Sequence, residues 1–232
     1  MKDLIIIGAG GVGRETALIV EALNLVSKEW NILGFVDDNK EVQGKNINGY
    51  KVLGGIDYTL NYKDEIYVVC GIANYKVKKS IIDKIKSTNS KIKFPNIIHP
   101  SVKLNRTVDI GEGCIIYENA VITANIKIGS HVIISPKCGI GHDSIIQDYT
   151  TLLWNVNVSG NVVLEEGVTM GSGSTVIQGI RIGRESFIGA GAVVIKNIRL
   201  NSKSVGVPSR YIGEMNKDNE ENIVCNNYSH NN

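Results

Sequence analysis

The chain has 232 residues, 43% hydrophobic and 21% charged, with a formal net charge of +2; this describes a globular protein long enough for one large domain or two small ones. Lysines and acids are interspersed, so the sequence offers neither a basic stripe for nucleic acid nor a polybasic run for a membrane surface. Four cysteines, Cys70, Cys114, Cys138 and Cys225, are scattered without a CxxC pair, which argues against a disulfide scaffold and a thiolate zinc site and fits a reducing cytoplasm.

Residues 1–94 alternate short apolar runs with helical stretches, the pattern of an α/β domain with a small parallel sheet and crossover helices. Leu4-Ile5-Ile6-Ile7 reads as a buried strand, too short for a signal sequence or a membrane span. An amphipathic helix is expected over Glu15 to Leu23, strands over Ile32 to Val36 and Ile66 to Cys70, and a second helix over Lys76 to Ile85. Between the first strand and helix lies Gly8-Ala9-Gly10-Gly11-Val12-Gly13, a GxGxxG loop in its proper context, where glycines let backbone N–H groups approach a diphosphate at a helix N-terminus. Asp37 and Asp38, after the second strand, can accept hydrogen bonds from a ribose or a base. The alternative is that the glycines only tighten the turn and the aspartates cap the next segment. A dinucleotide dehydrogenase is excluded on space, because residues 1–94 supply half of a doubly wound sheet.

From Ile98 the period changes. Every sixth position to Val194 is Ile, Leu, Val or Met: Ile98, Leu104, Ile110, Ile116 and so on through Met170, Val176, Ile182 and Ile188. The following residue is often glycine, as at Gly111, Gly129, Gly141, Gly171, Gly183 and Gly189. The residue two before is small or β-branched, as at Val108, Ala120, Val132, Thr150 and Ser174. Period six is neither helical nor hairpin-like; it describes short flat strands joined by tight turns and coiled so that equivalent side chains stack. His142 lies two residues after a core aliphatic, in a phase shared with Arg106, Glu118, Asp148 and Arg184, so it projects from the coil. There a neutral imidazole can take a proton from an attacking amine or hydroxyl. Asp143 can orient that ring only through an intervening turn or from a partner subunit, since strand neighbours face opposite ways. His131 sits in the next phase, a turn position, and is read as structural or solvent-facing. A β-helical carbonic anhydrase would need three zinc histidines, and only His131 and His142 lie within the coils, so no metal is expected.

The hexapeptide repeat over about 98–200, with GHDSIIQDYTT and VSGNV in its coils and IIGAGGVGRE and FVDD before it, resembles the bacterial sugar acetyltransferases that include nucleotide-4-amino-sugar N-acetyltransferases and sialic-acid O-acetyltransferases. The resemblance implies a Rossmann-like nucleotide-sugar domain over 1–94 and a left-handed parallel β-helix over 95–212; residues 213–232 are polar and Asn-rich and read as a frayed tail. The resemblance also implies His142 as general base with Asp143 as its carboxylate partner. Acetyl-CoA would be held by Thr151, Gly160, Gly189, Ala190, Pro208 and Arg210, and the nucleotide sugar by Gly8, Gly10, Gly11, Gly13, Asp37, Asp38 and Asn74. It also implies a homotrimer with sites between β-helices and a cytoplasmic enzyme of surface-glycan biosynthesis. The expected reaction is acetyl transfer from acetyl-CoA to the amine of a UDP- or dTDP-linked 4-amino sugar. O-acetylation of sialic acid or another sugar stays open, as does a non-enzymatic nucleotide-sensing scaffold. Thr151 stands where this family often has a second histidine, and Val12 where its loop often has one.

Overall fold

The computed structural model describes residues 1–215. The first part of the chain forms β1 (Lys2–Ile7), α1 (Gly11–Val26), β2 (Trp30–Val36), β3 (Asn46–Ile47), β4 (Tyr50–Gly54), α2 (Ile56–Leu60), β5 (Ile66–Cys70), α3 (Tyr75–Thr88) and β6 (Ile92–Lys93). Strand order is β3-β4-β2-β1-β5-β6, parallel except for the β3–β4 pair. β1 lies inside the sheet, which is why Leu4 to Ile7 are all apolar instead of alternating; each is 2% exposed or less. The two expected helices, α1 and α3, extend beyond their apolar stripes. The β3–β4 hairpin and α2 were not anticipated.

From Ile97 the chain winds into a left-handed parallel β-helix. Two-residue strands lie on three faces. The first runs from Ile97–Ile98 through Ile133–Ile134 and Thr151–Leu152 to Phe187–Ile188, the second from Val121–Ile122 to Val193–Val194, and the third from Asp109–Ile110 to Arg181–Ile182. The register pairs each residue with the one eighteen positions on, Ile134 with Leu152 and Leu152 with Met170. The sixth-position aliphatics therefore stack inside the prism, where Ile116 through Val194 are almost fully buried. From Ile110 to Ile188, three residues after each aliphatic the backbone turns through the left-handed region, at Gly113, Asn119, Asn125, His131, Lys137, Asp143, Tyr149 and onward. Glycine and asparagine adopt that conformation most readily, and they hold most of these corners.

The α/β part sits on the first face. Ile97, Ile115 and Ile133 point outward from the coil and pack with Leu4, Ile6, Ala17 and Val20 of the sheet and α1. Polar contacts fasten the seam: Tyr117 Oη donates to the Val12 carbonyl at 3.2 Å, Lys78 Nζ to the His131 carbonyl at 2.9 Å and Tyr75 Oη to Glu166 at 3.0 Å. Lys78 is buried with the thiols of Cys70 and Cys114 near it, and desolvation pushes its pKa down to about 8.

His131 is a seam residue, not a solvent-facing one. It is 1% exposed, stacks on Tyr149 at 5.3 Å and meets the edge of Phe94 at 5.1 Å. Burial first, then Lys86 and Lys78, push its pKa down to about 3. The unfolded imidazole takes up a proton near pH 6.5, so the stability contributed by the neutral ring is complete above that value and is lost as pH falls from 6.5 toward 3. At pH 5 the loss is about 2 kcal/mol. Urea denaturation at pH 7.5 and pH 5 should show the native chain losing about that much more stability than His131→Phe; equal losses would contradict this account of His131.

The chain leaves the prism by Ser202–Val205, which joins the first face, and Arg210–Glu214 folds back antiparallel on it. Paired chain therefore reaches Glu214, past the expected start of the tail at 213, because β pairing captures Gly213 and Glu214. The rest of that tail, residues 216–232, lies outside the described residues.

Candidate active site

At the C-terminal edge of the sheet, the β1–α1 loop and residues 71–74 before α3 flank the central strands, the crevice where open α/β sheets bind ligands. Gly8 has φ +89°, and a Cβ on Gly13 would stand 1.8 Å from the Gly8 carbonyl oxygen. Gly71 is equally constrained, since its Cβ would meet Gly13 Cα at 2.6 Å. Three glycines thus close the turn by backbone contact. Gly10 and Gly11 are exposed, with open space where a side chain would go. Gly10 caps α1 without a side-chain bond, so the first N–H groups of a 16-residue helix face the crevice.

The aspartates have backbone partners. Asp37 accepts from Ala9 N–H at 2.9 Å and from Asn39 N–H at 2.9 Å, holding the glycine loop to the end of β2. Asp38 accepts from Ile56 N–H at 2.8 Å at the start of α2. Asn74 caps α3 through Val77 N–H at 3.0 Å. The capping alternative describes Asp38 well, while Asp37 braces the loop and Asn74 caps α3.

His142 stands on the edge between the second and third faces, its side chain 55% exposed. Because Asp143 turns at φ +61°, its carboxylate folds back on the preceding ring, and Asp143 Oδ2 lies 2.7 Å from His142 Nδ1. The intervening turn is what makes the contact between sequence neighbours. One coil below, Asn125 Nδ2 donates to Asp143 Oδ1 at 3.0 Å. His142 and then Asn125 hold the Asp143 carboxyl below its ordinary pKa. An ionised Asp143 accepts the proton of Nδ1 and leaves Nε2 as the basic nitrogen. One coil above, Gly160 makes room: a Cβ there would be 2.6 Å from Nε2. The imidazole thus lies across glycine backbone.

The other expected acetyl-CoA residues do not gather around His142 of the same chain. Thr151 is on the first face, 1% exposed, with its hydroxyl donating to the Ala73 carbonyl at 3.3 Å. It is enclosed at the seam on the side of the prism opposite His142. Gly189 and Ala190 lie on the edge between the first and second faces, with Pro208 and Arg210 exposed near the end of the described chain. Gly189 is glycine because Val205 packs onto it, 2.6 Å from where a Cβ would be. The two edges bound one face, the second, and lie at opposite borders of it. A cleft of about 270 Å³ occurs instead on the third face, around Lys127, Gln147, Asp148 and Glu166, away from His142. Among the described residues no cluster of three or more His, Cys, Asp or Glu side chains could hold a metal ion. Gly71 and Asn125 were missed from sequence; the signal for Asn125 was its eighteen-residue offset from Asp143.

Residues 3–85 match the family model of the PglD N-terminal domain. GDP-perosamine N-acetyltransferase of Escherichia coli O157:H7 is 32% identical over 181 residues, 75% of this chain and 78% of the relative. WeeI from Acinetobacter baumannii AYE superposes with a TM-score of 0.80 at 27% identity, over 91% of this chain and 100% of that one. A variant of perosamine N-acetyltransferase from Caulobacter crescentus, in complex with CoA and GDP-perosamine, superposes with a TM-score of 0.82 at 24% identity, over 92% of this chain and 98% of that one.

Proposed function

The chain belongs to the hexapeptide-repeat sugar acetyltransferase family, enzymes that draw on acetyl-CoA, and from that premise we propose that it N-acetylates a nucleotide-linked 4-amino-deoxy sugar with His142 as general base. The observation that carries the reading is the chain of contacts Asn125, Asp143, His142, Gly160, which orients one imidazole with Nε2 basic on an exposed edge. The neutral amine attacks the thioester carbonyl carbon; a new C–N bond forms, the C–S bond breaks and the amine proton passes to Nε2. The sulfur leaves as CoA thiolate and His142 can return the proton to it, so the products are the amide and CoA-SH. The acceptor's diphosphate lies against Gly8, Gly10, Gly11 and Gly13, with Gly10 and Gly11 offering open backbone and α1 its N-terminal dipole. Asp37, Asp38 and Asn74 shape that crevice.

The working form is a homotrimer about an axis parallel to the coils. The second face carries uncharged outward residues, Val121, Gly139, Asn157, Thr175 and Val193, whereas the third presents Asp109, Lys127 and Arg181 to solvent and the first is covered. Turning the second face toward a three-fold axis sets the His142 edge of one copy against the Gly189–Ala190 edge of the next. Acetyl-CoA then lies between them, bordered by Gly160 from one chain and Gly189, Ala190, Pro208 and Arg210 from the other. No helix among the described residues is long and apolar enough to cross a membrane, and we place the enzyme in the cytoplasm, in surface-glycan biosynthesis.

CoA release in the presence of acetyl-CoA and a panel of GDP-, UDP- and dTDP-linked 4-amino sugars tests the assignment, with sialic acid as the hydroxyl acceptor. GDP joins the two nucleotides expected from sequence because the relative named above acts on GDP-perosamine. The expected result is turnover with an amino sugar; turnover with a hydroxyl acceptor alone would replace N- by O-acetylation.

A further inference from the structure

Trp154 is one of two tryptophans in the chain and is 48% exposed, on the same edge of the prism as Ala190. The register stacks that edge as Pro136, Trp154, Ser172 and Ala190, one coil apart. Pro136 beneath is buried; Ser172 and Ala190 above are small and exposed. The edge therefore reads as an open track over small side chains that ends downward on a single indole. The facing edge is built differently above its first coil. His142 lies across Gly160, and the stack continues upward through Gln178 and Lys196.

Heights along the coil axis connect the two edges. Each eighteen-residue coil rises by one strand spacing, about 4.8 Å. Trp154 follows His142 by two thirds of a coil and so stands about 3 Å above it, while Ala190 stands about 13 Å above it. In copies related by an axis parallel to the coils these offsets hold between chains. The indole of one copy then stands about 3 Å above the imidazole of the next, beside the place the thioester must occupy, and the small residues above it flank the slender arm of CoA.

We propose that Trp154 is the wall of the acyl pocket, a specificity-determining residue that admits acetyl and excludes longer acyl groups from the partner chain's His142. This inference rests on the proposed intersubunit transferase reading. An indole is large, rigid and apolar, so it can lie against a methyl group while leaving no room for further methylenes. Discrimination of this kind amounts to ten- to a few-hundred-fold per fitted group in a well-shaped pocket.

The test compares kcat/KM for acetyl-CoA and butyryl-CoA in the native enzyme, Trp154→Ala and Trp154→Phe, with the same nucleotide-sugar acceptor. Trp154→Ala should raise the butyryl-to-acetyl ratio about ten-fold or more, and Trp154→Phe should keep it near the native value. An unchanged ratio in an alanine variant that still transfers acetyl would overturn the proposal. Should Trp154→Ala not fold, Trp30→Phe leaves Trp154 as the sole indole; Trp30 is buried in the sheet domain. Acetyl-CoA should then change its emission, and an active enzyme whose emission ignores acetyl-CoA would equally overturn the proposal. A native chain with no transfer to any nucleotide-linked amine would instead refute the parent function, and the acyl wall with it.

Discussion

Gly13→Ala is expected to lower stability by at least about 3 kcal/mol, while Gly11→Ala leaves the melting temperature unchanged or slightly raised. At Gly13 the added methyl would stand 1.8 Å from the Gly8 carbonyl oxygen and 2.9 Å from its carbon. Both are backbone atoms of a turn held by Asp37 through Ala9 and closed from the other side by Gly71, so the turn cannot yield without releasing α1 from the sheet. At Gly11, the first residue of α1, a methyl meets nothing within 4 Å and gains the helix preference of alanine over glycine. What Gly11→Ala should damage is acceptor binding, because a Cβ would stand between the helix N-terminus and a diphosphate; KM for the nucleotide sugar should rise about ten-fold, some 1.4 kcal/mol. Differential scanning fluorimetry with steady-state kinetics separates the two roles. Equal melting temperatures for the native protein and Gly13→Ala would mean that the close-packed turn is not what holds the first βα unit together. An unchanged KM in Gly11→Ala would place the acceptor elsewhere.

Long-range regularity made the coil legible. A side chain repeated at every sixth position has one interior solution, so the aliphatic column and the outward phase of His142 could be read before any coordinates, while the three faces and their left-handed sense came from the family resemblance. The central strand was readable for a related reason, since Leu4 to Ile7 are apolar on both faces. Asn48-Gly49 between β3 and β4 carries a strong hairpin signal, with both residues at positive φ, but the flanking strands are short and only Val52 is buried among them, so periodicity alone did not reveal them. α2 is five residues long, too short to show a helical stripe. For His131 the structural alternative is the right one, but periodicity could not choose it over the solvent-facing one. Its corner phase is shared with solvent-facing residues, and its burial depends on Phe94 and α3 arriving from another part of the chain. Thr151 likewise occupies the outward phase of its strand, but that face is covered. Trp154 and Asn125 acquire meaning only once the eighteen-residue register sets them beside Ala190 and Asp143.

His142→Ala is expected to lower kcat by about a hundred- to ten-thousand-fold, the range for removing a positioned general base. Melting temperature should hold, because the ring is more than half exposed and rests on Gly160 instead of filling the core. KM for acetyl-CoA should stay near the native value, since the base meets the amine proton and not the CoA arm. Asp143→Asn should give a smaller fall in kcat, because it removes the carboxylate that accepts from Nδ1 while keeping the left-handed turn that asparagine tolerates.

The most direct test is therefore kcat for acetyl transfer to a nucleotide-linked amino sugar, measured for the native enzyme and His142→Ala at saturating acetyl-CoA. The proposed chemistry requires a drop of at least about a hundred-fold in a folded variant that still binds acetyl-CoA. A folded His142→Ala enzyme within about three-fold of native kcat would contradict it and move the base to another residue.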